Sequence, residues 1–146
     1  MYKKILVPLD GSPLAEAVLP HAQALAISDD AEIFLLRVSV NPAAEFSFSD
    51  PSLASQLIDD LEAESLTHLQ SIRARLQRTG LRTSFLIRQG AIAETILRVA
   101  EEVKADGIAM STHGRSGVSR WLLGSIASRV VNLSPVPVLL IRPPAA

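Results

Sequence analysis

Four short, largely apolar runs constrain this chain most: ILVPL at residues 5–9, IFLLRV at 33–38, broken only by Arg37, GIAM at 107–110 and VPVLLI at 136–141. A run of that length, with no polar alternation, is what a strand covered on both faces requires. A fifth run, TSFLIR at 83–88, is more polar at its ends and reads as a strand nearer a sheet edge. Between the runs the apolar period changes from continuous to helical. Ser12 reads as an N-cap, with Pro13 at the first helical position, Glu16 in the first turns and Leu14, Val18 and Leu25 on the apolar face. Pro20 lies inside that segment and predicts a kink, because proline removes a backbone donor. A long amphipathic helix begins at Ser52, carries Leu57, Leu61, Leu69, Ile72 and Leu76, and ends near Gly80. Ile92, Ile96, Val99, Ala100 and Val103 mark the next helix, and residues 126–133 the last.

Strands alternating with helices imply an α/β fold, a single doubly wound five-stranded parallel sheet with right-handed crossovers. The 146 residues suit one domain, residues 1–146. Ligands of such sheets bind beyond the carboxyl ends of the strands, where the winding reverses. Periodicity does not give the strand order. If it is 3-2-1-4-5, the crevice lies between strands one and four, which precede the two most unusual loops.

Composition narrows the chemistry. There is no cysteine, which removes disulfides, thiolate catalysis and cysteine-held metal clusters. A net charge of −1 supplies no basic field for nucleic acid. The first apolar run ends at Asp10, too short for a signal peptide, and no run reaches the ~18 residues of a membrane helix. The expectation is a soluble cytoplasmic protein with no membrane or nucleic-acid partner.

The stretch ADGIAMSTHGRSGVSRWLLGS, residues 105–125, joins a buried strand to a small-residue loop and then a helix start. Small residues let the backbone approach an anion, and the N–H groups and dipole of a helix N-terminus attract one. Pro8, Asp10, Gly11 and Ser12 follow the first strand and add a carboxylate suited to ribose hydroxyls. Asp10 also suits an Asx turn before the helix.

These residues resemble the universal stress protein family, and the likeness covers essentially the whole chain, from KKILVPLDGS to PVPVLLIR. The resemblance implies a Rossmann-like fold of the adenine nucleotide alpha hydrolase kind and a role in stress tolerance. The ATP-binding branch of that family carries G-x-x-G-x9-G-[ST] after strand four. This chain has Ser111 and Gly114, then nine residues, then Gly124 and Ser125, so the spacing is kept and the first glycine is not. By that match Asp10, with Pro8 beside it, meets the ribose or phosphate region. The main chain of Val38 meets adenine, and Gly114, Gly124 and Ser125 hold phosphates, with magnesium or manganese accompanying ATP. If the motif needs a positive φ at Ser111, serine costs about 1–2 kcal/mol. If the position is an ordinary strand end, only a hydroxymethyl group is added, and it can donate to phosphate.

No Walker lysine pattern and no G-x-G-x-x-G after strand one are present, so rapid phosphoryl transfer lacks its parts. His113 has no Asp or Cys partner near it in sequence. His21 and His68 are dispersed on helices and do not suggest a metal site. Arg115 and Arg120 suit either phosphates or solvent, Trp121 suits packing, and Phe46 and Phe48 suit a loop anchored on the helices. The leading reading is an ATP-binding regulatory homodimer that is not an enzyme, whose protein partner the sequence does not name. The alternatives are an adaptor dimer with a decayed nucleotide site, and a small nucleotide hydrolase using His113 as base. The last strand, residues 136–141 from Val136 onward, is the most apolar segment. As a final edge strand it invites pairing with a second copy. The resemblance implies the same dimer.

Overall fold

Each apolar run forms a strand. The computed structural model describes residues 1–40, 50–112 and 123–144. The strands are β1 (Lys4–Leu9), β2 (Glu32–Ser39), β3 (Thr83–Gln89), β4 (Gly107–Ser111) and β5 (Val138–Ile141). The helices are α1 (Leu19–Asp29), α2 (Pro51–Gln77), α3 (Ile92–Glu102) and α4 (Ser125–Leu133), with a 3-10 turn, Ala15–Val18, leading into α1. All pairings are parallel and the order is β3-β2-β1-β4-β5. The winding therefore reverses between β1 and β4, and β3 is an edge strand as its polar ends suggest.

Alternate residues of each strand feed two cores. Ile5, Val7, Leu9, Ile33 and Leu35 pack with Leu19, Ala22 and Ala26 of α1 and Leu69, Ile72 and Leu76 of α2. On the opposite face Leu6, Leu36, Val38, Ile108 and Met110 pack with Ile96 and Val99 of α3 and Ala127 and Val130 of α4. Full burial of each large aliphatic side chain stabilises the fold by about 1.5–3 kcal/mol. At the amino end of the sheet Asp106 sets the β1–β4 register. Its carboxylate accepts from the Lys3 N–H at 2.9 Å and the Lys4 N–H at 3.2 Å, and its own N–H donates to the Lys4 carbonyl at 3.0 Å.

Three local expectations need correction. Pro20 does not kink a helix. The segment starts as the 3-10 turn, and α1 begins afterwards at Leu19, which puts Pro20 in the first helical turn. A proline N–H would have no partner there in any case, so none is lost. Ser12 does cap, but it caps the 3-10 turn: its Oγ accepts from the Ala15 N–H at 3.2 Å. The last strand is also shorter than the apolar run. Val136 and Pro137 precede it, and Ser134 Oγ donates to the Val136 carbonyl at 2.7 Å in a turn.

Candidate functional site

The sheet opens at its centre. β1 pairs with β2 along its whole length, from Lys4 opposite Glu32 to Leu9 opposite Arg37. β4 pairs with β5 through Ser111 opposite Ile141. Between β1 and β4, however, only Ile5 with Gly107 and Leu6 with Ile108 are in register. Pro8 lies just past this point and has no N–H to offer a neighbouring strand. The two strands thus part toward their carboxyl ends, where a doubly wound sheet accepts its ligand.

Asp10 begins the turn that follows β1. Its Oδ1 accepts from the Ser12 N–H at 2.8 Å and from Ser12 Oγ at 2.5 Å, the Asx turn that the sequence allows. This shapes the turn with one carboxylate oxygen. Gly11 between them has φ +87°, a conformation that favours glycine, and a Cβ there would run into the guanidinium of Arg37. Arg37 was not among the sequence candidates. Its position opposite Leu9, where β1 ends, is the signal that would have found it. Val38 follows, 9% exposed and part of the second core. β1 has already ended opposite Arg37, so Val38 lies level with Arg88 of β3 and with no residue of β1.

Ser111 ends β4 as an ordinary strand residue. Among the described residues the non-glycine positive φ values belong to Asp30 and Lys104, so serine bears no left-handed strain. The residue is 9% exposed, and its Oγ donates to the Ala15 carbonyl at 3.0 Å. The hydroxyl is therefore committed to the 3-10 turn and not directed toward the α4 side. Thr112, the next residue, was missed by the sequence reading. It is 3% exposed, its N–H donates to the Ile141 carbonyl at 2.9 Å, and its Oγ1 has no hydrogen-bond partner. Strand alternation would carry its side chain to the face opposite Ser111, where α4 packs. A buried hydroxyl without a partner costs about 1–3 kcal/mol, so an acceptor or donor brought by a ligand would be favoured there.

Gly124 is the N-cap of α4, with φ −57° and ψ 154°, no side-chain cap and no acidic residue in the first turn. α1 likewise has no side-chain cap and no acidic residue in its first turn, whereas α2 and α3 differ. Asp50 caps α2, accepting from the Ser52 N–H at 2.9 Å. Glu94 stands in the first turn of α3, where a backbone N–H and then Arg129 hold its carboxyl below the ordinary range. Negative charge already serves those two helix starts, whereas α4 at Gly124 and Ser125 has no such charge among the described residues. Gly114, His113, Arg115, Arg120, Trp121, Phe46 and Phe48 lie outside the described residues. Pro8, Asp10, Val38, Ser111, Gly124 and Ser125 thus all belong to the carboxyl-end side of the sheet, with Ser111 turned to the 3-10 turn. Among the described residues no group of three His, Asp or Glu side chains could hold a metal ion, and no helix is long and apolar enough to cross a membrane.

Comparison with known proteins gives a consistent answer. Universal stress protein MJ0531 of Methanocaldococcus jannaschii is 35% identical over 99% of this chain and 84% of its own. Universal stress protein MJ0577 of the same organism is 30% identical over 97% of this chain and 96% of its own. The solved structure of MJ0577 superposes with a TM-score of 0.87 at 31% identity, covering 100% of this chain and 99% of that one. A universal stress protein solved in complex with cAMP shares the fold at a TM-score of 0.71 and 21% identity, over 98% of each chain. The profile of the universal stress protein family matches residues 1–142. With the sheet order and the loop spacing already in place, this chain belongs to the universal stress protein family.

Proposed function

We propose that the protein binds an adenine nucleotide at the carboxyl end of β1 and β4 and acts as a regulatory stress-response protein in the cytoplasm. The observation that carries this reading is the buried, unpartnered hydroxyl of Thr112 just past β4, and the N-terminus of α4 at Gly124 and Ser125, without a side-chain cap, adds to it. Together they offer several donors and no competing carboxylate. β2, β1 and β4 are adjacent, so the main chain at Val38 and the end of β4 are two strand spacings apart, about 10 Å. That distance suits a base at one end and phosphates at the other, with Asp10 between them near the ribose. Binding of cAMP by a protein of the same fold supports the ligand class. ATP with magnesium or manganese is the ligand we favour. The metal would be held chiefly by phosphate oxygens, with Asp10 the described carboxylate at hand.

The assigned role is binding rather than catalysis, with ATP hydrolysis at most slow. A second copy completes the reading. β5 is an edge strand, Leu139 on it is 39% exposed, and two-fold related edges can pair through Val138–Ile141.

The test starts with the purified protein. Denaturing it and chromatographing the supernatant should release adenine nucleotide, and calorimetry with magnesium and ATP should give a micromolar to sub-millimolar Kd. Thr112→Val, which keeps the shape and deletes the hydroxyl, should weaken that affinity about five- to ten-fold. No heat at millimolar ATP, with nothing co-purified, would overturn the reading. A turnover faster than about one per second would overturn its non-enzymatic part.

A further inference from the structure

α2 is longer than the strand it packs on. Its 27 residues span about 40 Å, against about 23 Å for the 7 residues of β3. Its buried residues, Ser65, Leu69, Ile72 and Leu76, all lie in the second half. Residues 51–64 contain none, although the helix continues through them. This free half is amphipathic in its own right. Leu53, Leu57 and Leu61 recur every four residues along one stripe, with Leu53 58% and Leu61 37% exposed. Asp60 and Glu64 form a neighbouring row at the same spacing, and Asp60 accepts from Gln56 Nε2 at 3.1 Å.

Charge is segregated along the helix. Residues 50–67 hold Asp50, Asp59, Asp60, Glu62 and Glu64 and no lysine or arginine. The cations, Arg73 and Arg75, come later and are engaged with the body of the protein. Arg73 stacks on the Phe85 ring at 4.6 Å, and Arg75 lies 3.7 Å from Glu16. Among the described residues, none of Asp59, Asp60, Glu62 and Glu64 is in an ion pair.

We infer that the first half of α2 is a docking surface for a cationic amphipathic helix of another protein. Its occupant lays apolar residues at three- and four-residue spacing along Leu53, Leu57 and Leu61 and places Lys or Arg against Asp60 and Glu64. Charge selects this occupant over a second copy of the chain, since the same acidic half brought against itself would set like charges face to face.

The probe is a labelled three-heptad peptide with leucine at its a and d positions and lysine elsewhere; the control replaces every lysine with glutamate. Fluorescence anisotropy with the full chain should show binding of the lysine peptide and not of the glutamate one. Affinity should fall as salt rises from 50 to 300 mM. Asp60→Lys with Glu64→Lys, and separately Leu53→Ser with Leu61→Ser, should each weaken binding at least about ten-fold. All four positions are exposed, and circular dichroism checks the helix. Amide shift changes should map to residues 53–66. Equal binding by the charge-reversed variant, equal binding of the glutamate peptide, or shift changes elsewhere would overturn the inference. So would self-association of the wild-type chain that Leu53→Ser with Leu61→Ser abolishes, because the occupant would then be a second copy.

Discussion

Removing the Ser111 hydroxyl separates two roles that the loop motif confuses. The hydroxyl donates to the Ala15 carbonyl at 3.0 Å, and both residues are buried. Ser111→Ala deletes the donor and leaves the carbonyl facing a methyl group. A buried group left unsatisfied costs about 1–3 kcal/mol, against about 0.5–1.5 kcal/mol for the net worth of an ordinary hydrogen bond. The structure favours the larger range, because the strand end leaves little room for water to replace the donor. At roughly 2–4 °C per kcal/mol for a chain of this size, Tm should fall by about 2–12 °C. Ser111→Gly, which restores the family motif, should cost about 0.5–1 kcal/mol more through backbone freedom in the unfolded chain. Guanidinium titration is the assay: the midpoint should drop for both variants with the slope unchanged. ATP affinity, measured in parallel, should stay within about three-fold, since the hydroxyl points to the 3-10 turn. Unchanged stability in Ser111→Ala would refute the bond. A ten-fold gain in ATP affinity for Ser111→Gly would refute the orientation and put the serine in the path of the phosphates.

Gly124→Val should fold normally, because φ −57° and ψ 154° suit any residue, yet lose ATP binding in calorimetry as the side chain covers the α4 N–H groups. Asp10→Ala should weaken ATP binding and also lower the denaturation midpoint, by about 1–2 kcal/mol, because the Asx turn loses both its bonds to Ser12. Leu139→Pro should shift light-scattering mass from dimer toward monomer by removing a donor from the β5 edge; a wild-type monomer at micromolar concentration would refute the pairing. Asp29 has its carboxyl lowered from 3.8, first by the Tyr2 N–H and then by the chain's amino terminus. A depressed folded-state value contributes stability above the unfolded value, lost as pH falls through the folded one. The stability difference between wild type and Asp29→Asn should therefore be present at neutral pH and shrink below about pH 4 in acid titrations.

The strands were legible because a buried parallel strand writes itself as a largely apolar run, and 33–38 or 107–110 admit little else. Their order was not, since periodicity reports which faces are covered and says nothing of which strand lies alongside. Pro20 misled for a related reason. Leu14 and Val18 stand at α-helical spacing, but the residues buried in the 3-10 turn are Ala15 and Val18, three apart. At the site, residue types marked Asp10, Gly124 and Ser125, because turns and anion cradles need particular chemistry. The direction of a side chain is a tertiary fact. Ser111 and Thr112 are adjacent hydroxyls with opposite fates, one tied to Ala15 and one without a partner. Strand alternation predicts that they diverge, but not which one meets a carbonyl. Arg37 was hidden because its importance comes from the missing Cβ of Gly11, far away in sequence.

The short β1–β4 ladder divides the sheet into a three-strand leaf, β3-β2-β1, and a two-strand leaf, β4-β5, stitched at the amino end by Asp106 and at the other by the Ser111–Ala15 bond. A molecule lodged in the gap would press on both leaves. The outer margin of the narrower leaf is β5, one of the two edge strands of the sheet. Any change in the angle between the leaves would be felt at that margin, so filling the gap and joining two copies along β5 would draw on one mechanical degree of freedom.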